Sequence, residues 1–572
     1  MAIYFDEEKK IFYLESGCVS YVMQISQFGF LTQLYYGKRI PREDVSYVEK
    51  LYDRGSEAVV FGAPSRRYSP NVITSEYPSY GKGDFRECAF IPRGADGARV
   101  FEGKVKGFEI LQEKPTIPGM PSLYGGGETL VVTLEDEISK VQVDLYYSVY
   151  DELDAIARRA VIKNNADTPL VLDRAYSFSL DLPAGSYKVI TQYGAHMRER
   201  TPEVTPLMHG IMSVDSKRGA TSLHSSCFMA LAAKDADEES GDVYGFNLIY
   251  SGSFRLTAEQ SPYDMVRVLG GINDFDFSWK LLPGESFYTP EAAMVYSGKG
   301  LGAMSRTFHD LYRGYIINKR FVNAVRPIVI NNWEATYFNF DIPKLCSIID
   351  TVKDSGIDMF VLDDGWFGRR DSDRSSLGDW TVNKDKLKGD LSALIDYVHN
   401  AGMKFGLWFE PEMVSEDSDI YREHPDWAIK ILYRDAAPSR DQLVFDLTKP
   451  QVRDYVVKAV NSILSQYKID YVKWDMNRNI TEIYSDGLPA DGQKEIMHRY
   501  ILGVYEICER IINGHPDVFF EGCASGGGRF DAAMAYYFPQ IWTSDDTDAN
   551  ERTRIQYGTS LCYPLSMMSC HV

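Results

Sequence analysis

From residue 326 onward this 572-residue chain alternates short apolar runs with helical patterns, and most of the apolar runs end in charge. Runs at 328–333, 359–364, 404–409, 442–446, 469–475, 517–522, 540–545 and 566–571 read as strands, and 343–355, 390–401, 451–467 and 493–513 as helices between them. Eight strands alternating with helices over about 245 residues match a (β/α)8 barrel in number and length. A doubly wound sheet is the alternative, but no GxGxxG follows a strand here. The interior of a buried parallel strand is apolar, so charge crowded at its C-terminal end is costly unless it is used. In α/β barrels that end carries the active site.

The first half has a different texture. Alternating runs at 141–150, 157–163 and 169–174, separated by turn clusters at 124–128 and 164–169, predict many short strands in a sandwich of antiparallel sheets. A helical pattern at 305–320 leads into the second regime. The expected organisation is a β-domain over 1–322 with its linking helix near the end, then a catalytic barrel over 323–572. The last predicted strand has no helix after it to cover its outer face, so the expectation is a fragment of a longer protein.

A formal net charge of −20 excludes a phosphate-backbone partner, and no polybasic run addresses an anionic membrane surface. Aromatics make up 13% of the chain, which serves large sheet cores and sugar stacking equally. Eight scattered cysteines without a CxxC read as free thiols in a reducing cytoplasm. The N-terminus lacks a signal peptide's apolar core, and no stretch of about eighteen apolar residues predicts a membrane span.

The strand ends carry the chemistry. The second ends in Asp363, Asp364, Gly365 and Trp366; the third in Trp408, Phe409 and Glu410-Pro411-Glu412; Arg440 precedes the fourth. The fifth supplies Lys473, Asp475 and Asn477. Lys473 and Asp475 are two positions apart and share a face, so an ammonium could keep a nucleophilic carboxylate ionised; an inner salt bridge is the alternative. The sixth strand ends in Cys523, Ser525, a triple glycine beginning at Gly526, and Arg529. No lysine follows those glycines as a phosphate loop requires. The seventh gives Asp545, Asp546 and Asp548, one of which could be a general acid, the alternative being acids that only cap the next helix. Two carboxylates on one rim point to acid/base or nucleophilic chemistry, glycoside hydrolysis foremost. With no HxH or HExxH in the chain, neither a metal nor a cofactor is expected.

The set LDDGWFG (362–368), GLWFEPEM (406–413), KWDMNR (473–478), CASGGGRFD (523–531) and WTSDDTDA (542–549) resembles the bacterial α-galactosidases of glycoside hydrolase family 36, nearly end to end. The resemblance implies an N-terminal β-supersandwich, a (β/α)8 barrel and a C-terminal β-domain, the last missing from this chain. It implies a retaining exo-hydrolase acting on melibiose- and raffinose-type sugars, with Asp475 as nucleophile and Asp545 as acid/base. Asp363 and Asp364 match residues that hold the 4- and 6-hydroxyls of galactose. Trp408, Arg440, Lys473, Asn477, Cys523, Ser525 and Gly526 fall where the family lines its subsite, with Trp333 at the end of the first strand and Asp546 as a neighbouring wall. It also implies a homotetramer, to which a loop containing residues 81–86 could contribute. An α-N-acetylgalactosaminidase or a transglycosylase on the same scaffold, and a non-catalytic carbohydrate-binding protein, are the competing expectations.

Overall fold

The computed structural model describes residues 2–49, 58–431, 433–437 and 439–569. Cys570, His571 and the far end of the eighth predicted strand lie outside the described residues. The N-terminal half is antiparallel. A ten-stranded sheet contains the predicted runs as Val141–Val149 and Ala155–Asn164, paired along their length. The third run lengthens to Leu170–Leu182 and lies in a six-stranded sheet. The two sheets face each other, with Phe178 stacked on Phe246 at 5.5 Å. Four strands between Ile3 and Lys38 add a third sheet. Between the layers the buried Arg158 pairs with Glu76 at 2.9 Å and donates to Tyr21 Oη at 2.9 Å, so the buried charges are compensated.

One border of the ten-stranded sheet is a hairpin. Tyr187–Ala195 pairs with Arg198–Pro206, and the Ala195–Arg198 pairing leaves His196 and Met197 as a two-residue turn, with Met197 at φ +63°. A bulge after Tyr193 twists the hairpin's end. This edge is covered by the second half of the chain: Gln192 Nε2 donates to Gly558 O at 2.5 Å, and the buried Arg200 donates to Thr559 Oγ1 and Gly527 O, both at 2.7 Å, and to Thr543 O. Gly558 permits the approach, because a Cβ there would stand 1.8 Å from Arg200 O.

After the helix Gly300–Tyr315, seven parallel strands follow: β1 (Val329–Asn331), β2 (Met359–Leu362), β3 (Lys404–Phe409), β4 (Tyr471–Trp474), β5 (Phe519–Gly522), β6 (Gln540–Trp542) and β7 (Met568–Ser569), each beside the next. Three of the helices between them start where aspartates cap them: Asp341 before Ile342–Val352, Asp390 before Leu391–Asn400, and Asp531 before Ala532–Tyr537. Arg326, ahead of β1, donates to Ser566 O at 3.2 Å and Pro539 O at 3.3 Å, drawing the first strand towards the last two. Among the described residues no ladder joins β1 to β7.

The run at 442–446 departs from expectation. Only Leu443–Val444 is a strand; it pairs antiparallel with Met413–Val414, and β3 pairs directly with β4. Arg440 and Asp441 sit at φ +53° and +55°, and Phe445 N–H donates to Glu412 O at 2.9 Å. The segment is thereby fastened to the loop after β3 and does not enter the sheet. Among the described residues no helix is long and apolar enough to cross a membrane, and the seven described cysteines are free thiols.

Candidate active site

The C-terminal strand ends converge on a cavity of about 710 Å³, inside the range of roughly 300–1,000 Å³ common for ligand sites. Trp333, Asp363, Asp364, Trp408, Arg440, Lys473, Asp475, Asn477, Cys523 and Asp545 line it. Register explains the convergence: Trp408 on β3 sits beside Lys473 on β4, which sits beside Glu521 on β5. Asp475 N–H continues the ladder to Phe409 O at 2.8 Å, carrying its side chain past the last regular pair and into the cavity.

Asp475 is buried and fixed by three donors. Its Oδ2 accepts from Trp408 Nε1 at 3.1 Å and Asn477 Nδ2 at 2.8 Å, and its Oδ1 accepts from Met476 N at 2.9 Å. Asn477 is held in turn, because its own N–H donates to Glu410 Oε1 at 2.6 Å and its Oδ1 accepts from Ser525 Oγ at 3.0 Å. Glu410 also accepts from Gln442 Nε2 at 2.8 Å. Burial, with the charge of Asp475 beside it, pushes the Glu410 carboxyl up to about 8.

Lys473 does not reach for Asp475. Its Nζ lies 2.9 Å from Asp363 Oδ2, across the sheet from β4 to β2, and that oxygen also accepts from Asn331 Nδ2 at 2.5 Å. The contact is the inner salt bridge that was the alternative reading of the lysine, and the pair faces the cavity. Asp364 is gripped by Arg370, with Nε to Oδ1 at 3.0 Å and Nη2 to Oδ2 at 2.8 Å. Burial raises the Asp364 carboxyl and the guanidinium opposes the rise. The alternating carboxylates and cations form a polar floor suited to several hydroxyls, each ion pair retaining lone pairs or N–H groups for a ligand.

Asp545 stands apart. Its Oδ1 accepts from Trp542 Nε1 at 2.8 Å, and its Oδ2 lies 2.8 Å from Nε2 of His196 at the tip of the N-terminal hairpin. Its side chain is 37% exposed, and that of His196 is 52% exposed. Burial would raise the Asp545 carboxyl, but the contacts with His196 and Trp542 and the charge of Lys473 outweigh it and hold the carboxyl below its ordinary range. The same contact raises the His196 imidazole.

Three expected residues do not line the cavity. Ser525 stands behind Asn477, with its backbone at φ +46°. Gly526, at φ +84°, is where the strand-end loop touches the hairpin: a Cβ would lie 2.7 Å from Glu199 Oε1 and 2.9 Å from Asp545 N. Asp546 turns its carboxylate onto Asp548 N–H at 2.9 Å, and Asp548 caps the helix Ala549–Ser560. Helix capping therefore describes Asp548, while Asp545 of the same run faces the cavity. Arg529 pairs through two bonds, at 2.9 and 2.6 Å, with the buried Glu412, which also accepts from Trp474 and Tyr500.

His196, Glu199 and Arg370 escaped sequence reasoning, and Glu410 was noted at its strand end but given no role. Arg370 and Glu410 had local signals, an arginine six residues beyond Asp364 and an acid closing a strand rich in rings. His196 had none, being 349 positions from its partner. Among the described residues no group of three or more His, Cys, Asp or Glu is arranged to hold a metal ion.

Residues 29–282 match the family model described as the glycosyl hydrolase family 36 N-terminal domain, and residues 286–572 match the one described as melibiase. The chain is 44% identical to α-galactosidase Mel36A of Lactobacillus acidophilus, across 100% of this chain and 78% of that protein. It is similar to the crystal structure of the family 36 α-galactosidase AgaB from Geobacillus stearothermophilus, with a TM-score of 0.96 and 44% identity over 100% of this chain and 79% of that one. A variant of AgaA from the same organism, solved in complex with raffinose, gives a TM-score of 0.97 at 44% identity over 98% of this chain and 79% of that one.

Proposed function

This chain belongs to glycosyl hydrolase family 36 and is an α-galactosidase; on that premise we propose that its cavity binds a terminal α-galactosyl residue and that Asp475 and Asp545 hydrolyse it with retention. The observation that carries the proposal is the pair of carboxylates reaching one cavity from β4 and β6 with opposite surroundings. Asp475 is buried and oriented by three N–H donors; Asp545 is half exposed at the mouth. A nucleophile needs a fixed carboxylate, and an acid/base needs access to leaving groups and water.

An oxygen of Asp475 attacks the anomeric carbon, and the glycosidic C–O bond breaks as its electron pair passes to the departing oxygen. That oxygen takes a proton from Asp545. In the second step Asp545 removes a proton from water, the water oxygen bonds to the anomeric carbon, and Asp475 leaves as a carboxylate. Retaining glycosidases in general hold their two carboxyl groups roughly 5–5.5 Å apart. Asp363 and Asp364, each paired with a cation, take the 4- and 6-hydroxyls. A galactoside satisfies them, whereas a glucoside leaves a buried acid unmatched. Trp333, Trp408, Arg440 and Cys523 complete the walls, and Ser525 and Gly526 hold Asn477 and the strand-end loop in place. Asp546 has no contact with the sugar in this reading.

The raffinose complex of the relative points to raffinose-type substrates here. The seven parallel strands are read as the wall of a (β/α)8-type barrel, with the 442–446 segment outside the sheet and the β-domain giving way to the barrel near residue 322. Cytoplasmic residence, consistent with seven free thiols, and assembly as a homotetramer belong to the same reading. The test is inactivation by a 2-fluoro-galactosyl or epoxide galactose mimic followed by peptide mapping. The label is expected on Asp475; a label elsewhere, or none despite turnover, refutes the assignment.

A further inference from the structure

We infer that His196 shares one proton with Asp545 across the boundary between the two halves of the chain, and that through Asp545 it supplies the proton taken by the departing oxygen. The inference rests on the reading of Asp545 as acid/base.

The two oxygens of Asp545 are not equivalent. Oδ1 accepts from Trp542 Nε1 at 2.8 Å, and an indole N–H is a donor only. A proton on the carboxyl therefore sits on Oδ2, the oxygen 2.8 Å from His196 Nε2. That contact holds one proton in either of two arrangements, imidazolium with carboxylate or imidazole with carboxylic acid. The first is favoured in the empty site, where the imidazole is raised and the carboxyl lowered. A general acid kept ionised by its surroundings needs a local source of protons, and the imidazolium is at hydrogen-bond distance.

The hairpin is anchored well enough to hold the geometry. Gln192 and Arg200, on its two strands, are bonded to the loops and helix that follow β5 and β6. The charged and titratable groups facing the pair come from four places: Glu199 on the hairpin, Arg440 on the rim loop, Lys473 on β4 and Cys523 just after β5. When an aglycone enters, the proton moves from Nε2 to Oδ2 and then to the leaving oxygen as the C–O bond breaks. The proton drawn from water in the second step returns by the same route. His196 acts through Asp545 and is a positioning residue, with no contact to the sugar required.

The pair loses its last proton at a higher pH than a lone carboxyl would. H196Q keeps a hydrogen-bond donor but cannot be protonated. Its basic limb in kcat/KM with raffinose is expected at least about one pH unit below that of the parent. Its kcat for raffinose at neutral pH falls about 10- to 100-fold, against less than about threefold for p-nitrophenyl α-galactoside, whose leaving group needs little protonation. An unmoved basic limb, or equal losses on both substrates, overturns the inference and leaves His196 with packing alone. D545N measured alongside separates the two levels. If D545N still turns over raffinose at the parent rate, the assignment of Asp545 is wrong. If D545N fails while H196Q keeps the parent's limb, only the proton sharing is wrong.

Discussion

Asp475 and Asp545 are both acids at the ends of parallel strands, yet the chain builds their surroundings in opposite ways. The hydrogen-bond donors to Asp475 come from within the parallel sheet and the turn after β4: Trp408 from β3, and Met476 and Asn477 from the turn, with Glu410 holding Asn477 from behind. Asp545 instead borrows from 349 residues away, and its contact with His196 is open to water. The site divides its labour by location. On the proposed assignment, the group that must hold one position is enclosed by neighbours near in the fold, and the group that must exchange protons is set at a seam.

The contrast can be broken first at its strongest point. D475A should lower kcat by at least about 10⁴-fold on every galactoside, because no group remains to form the covalent intermediate. Burst and steady-state kinetics on nitrophenyl and sugar substrates check this, and similar residual rates in parent and variant would sink it. D545N should cost about 10²–10⁴-fold on raffinose and far less on the nitrophenyl glycoside. A loss independent of leaving group would show that Asp545 has no proton-transfer role.

E410Q probes the enclosure itself. The folded Glu410 carboxyl, pushed up to about 8, keeps a proton that the unfolded chain releases near its ordinary value. The parent's stability contribution from this group is therefore present at low pH and is lost as pH rises from about 4.3 towards about 8, at no more than ~1.4 kcal/mol per pH unit. The glutamine variant cannot lose it. Its Tm should gain on the parent's between pH 5 and pH 8, and a constant difference would mean that Glu410 is ionised throughout. D546N should change kcat/KM by less than about threefold, since its carboxylate serves a turn and not the cavity. A hundredfold fall would place Asp546, against its geometry, in the chemistry.

The sequence made the strand ends legible because parallel strands are apolar until they stop, so each acid or amide after Leu362, Phe409, Trp474 or Trp542 stood out locally. That contrast sufficed to bring Asp363, Lys473, Asp475 and Asp545 to one cavity. It could not reveal partnerships. Lys473 next to Asp475 in sequence looked like a pair, but alternate register and β2 gave the ammonium to Asp363. Hydrophobicity at 442–446 looked like a full strand, although two left-handed residues before it turn the chain away from the sheet. His196 carried no periodic or compositional mark, because what places it is the docking of one half of the chain on the other.

The covered edge strand Arg198–Pro206 sets a schedule for synthesis. Its acceptor at Thr559 is translated 359 residues after Arg200, a wait of about 20–70 s at ~5–20 residues per second. Through that interval the nascent sheet has an open border that could pair with a neighbouring nascent chain. The strand's own composition, RERTPEVTP, guards it, with four charges to repel and two prolines that offer no N–H. The prolines at 202 and 206 and the charges at 198, 199, 200 and 203 thus act before the enzyme exists. Replacement of the exposed Glu203 and Pro206 by β-branched residues should appear first as lost soluble yield from the ribosome, in molecules whose anchoring Arg200 is untouched.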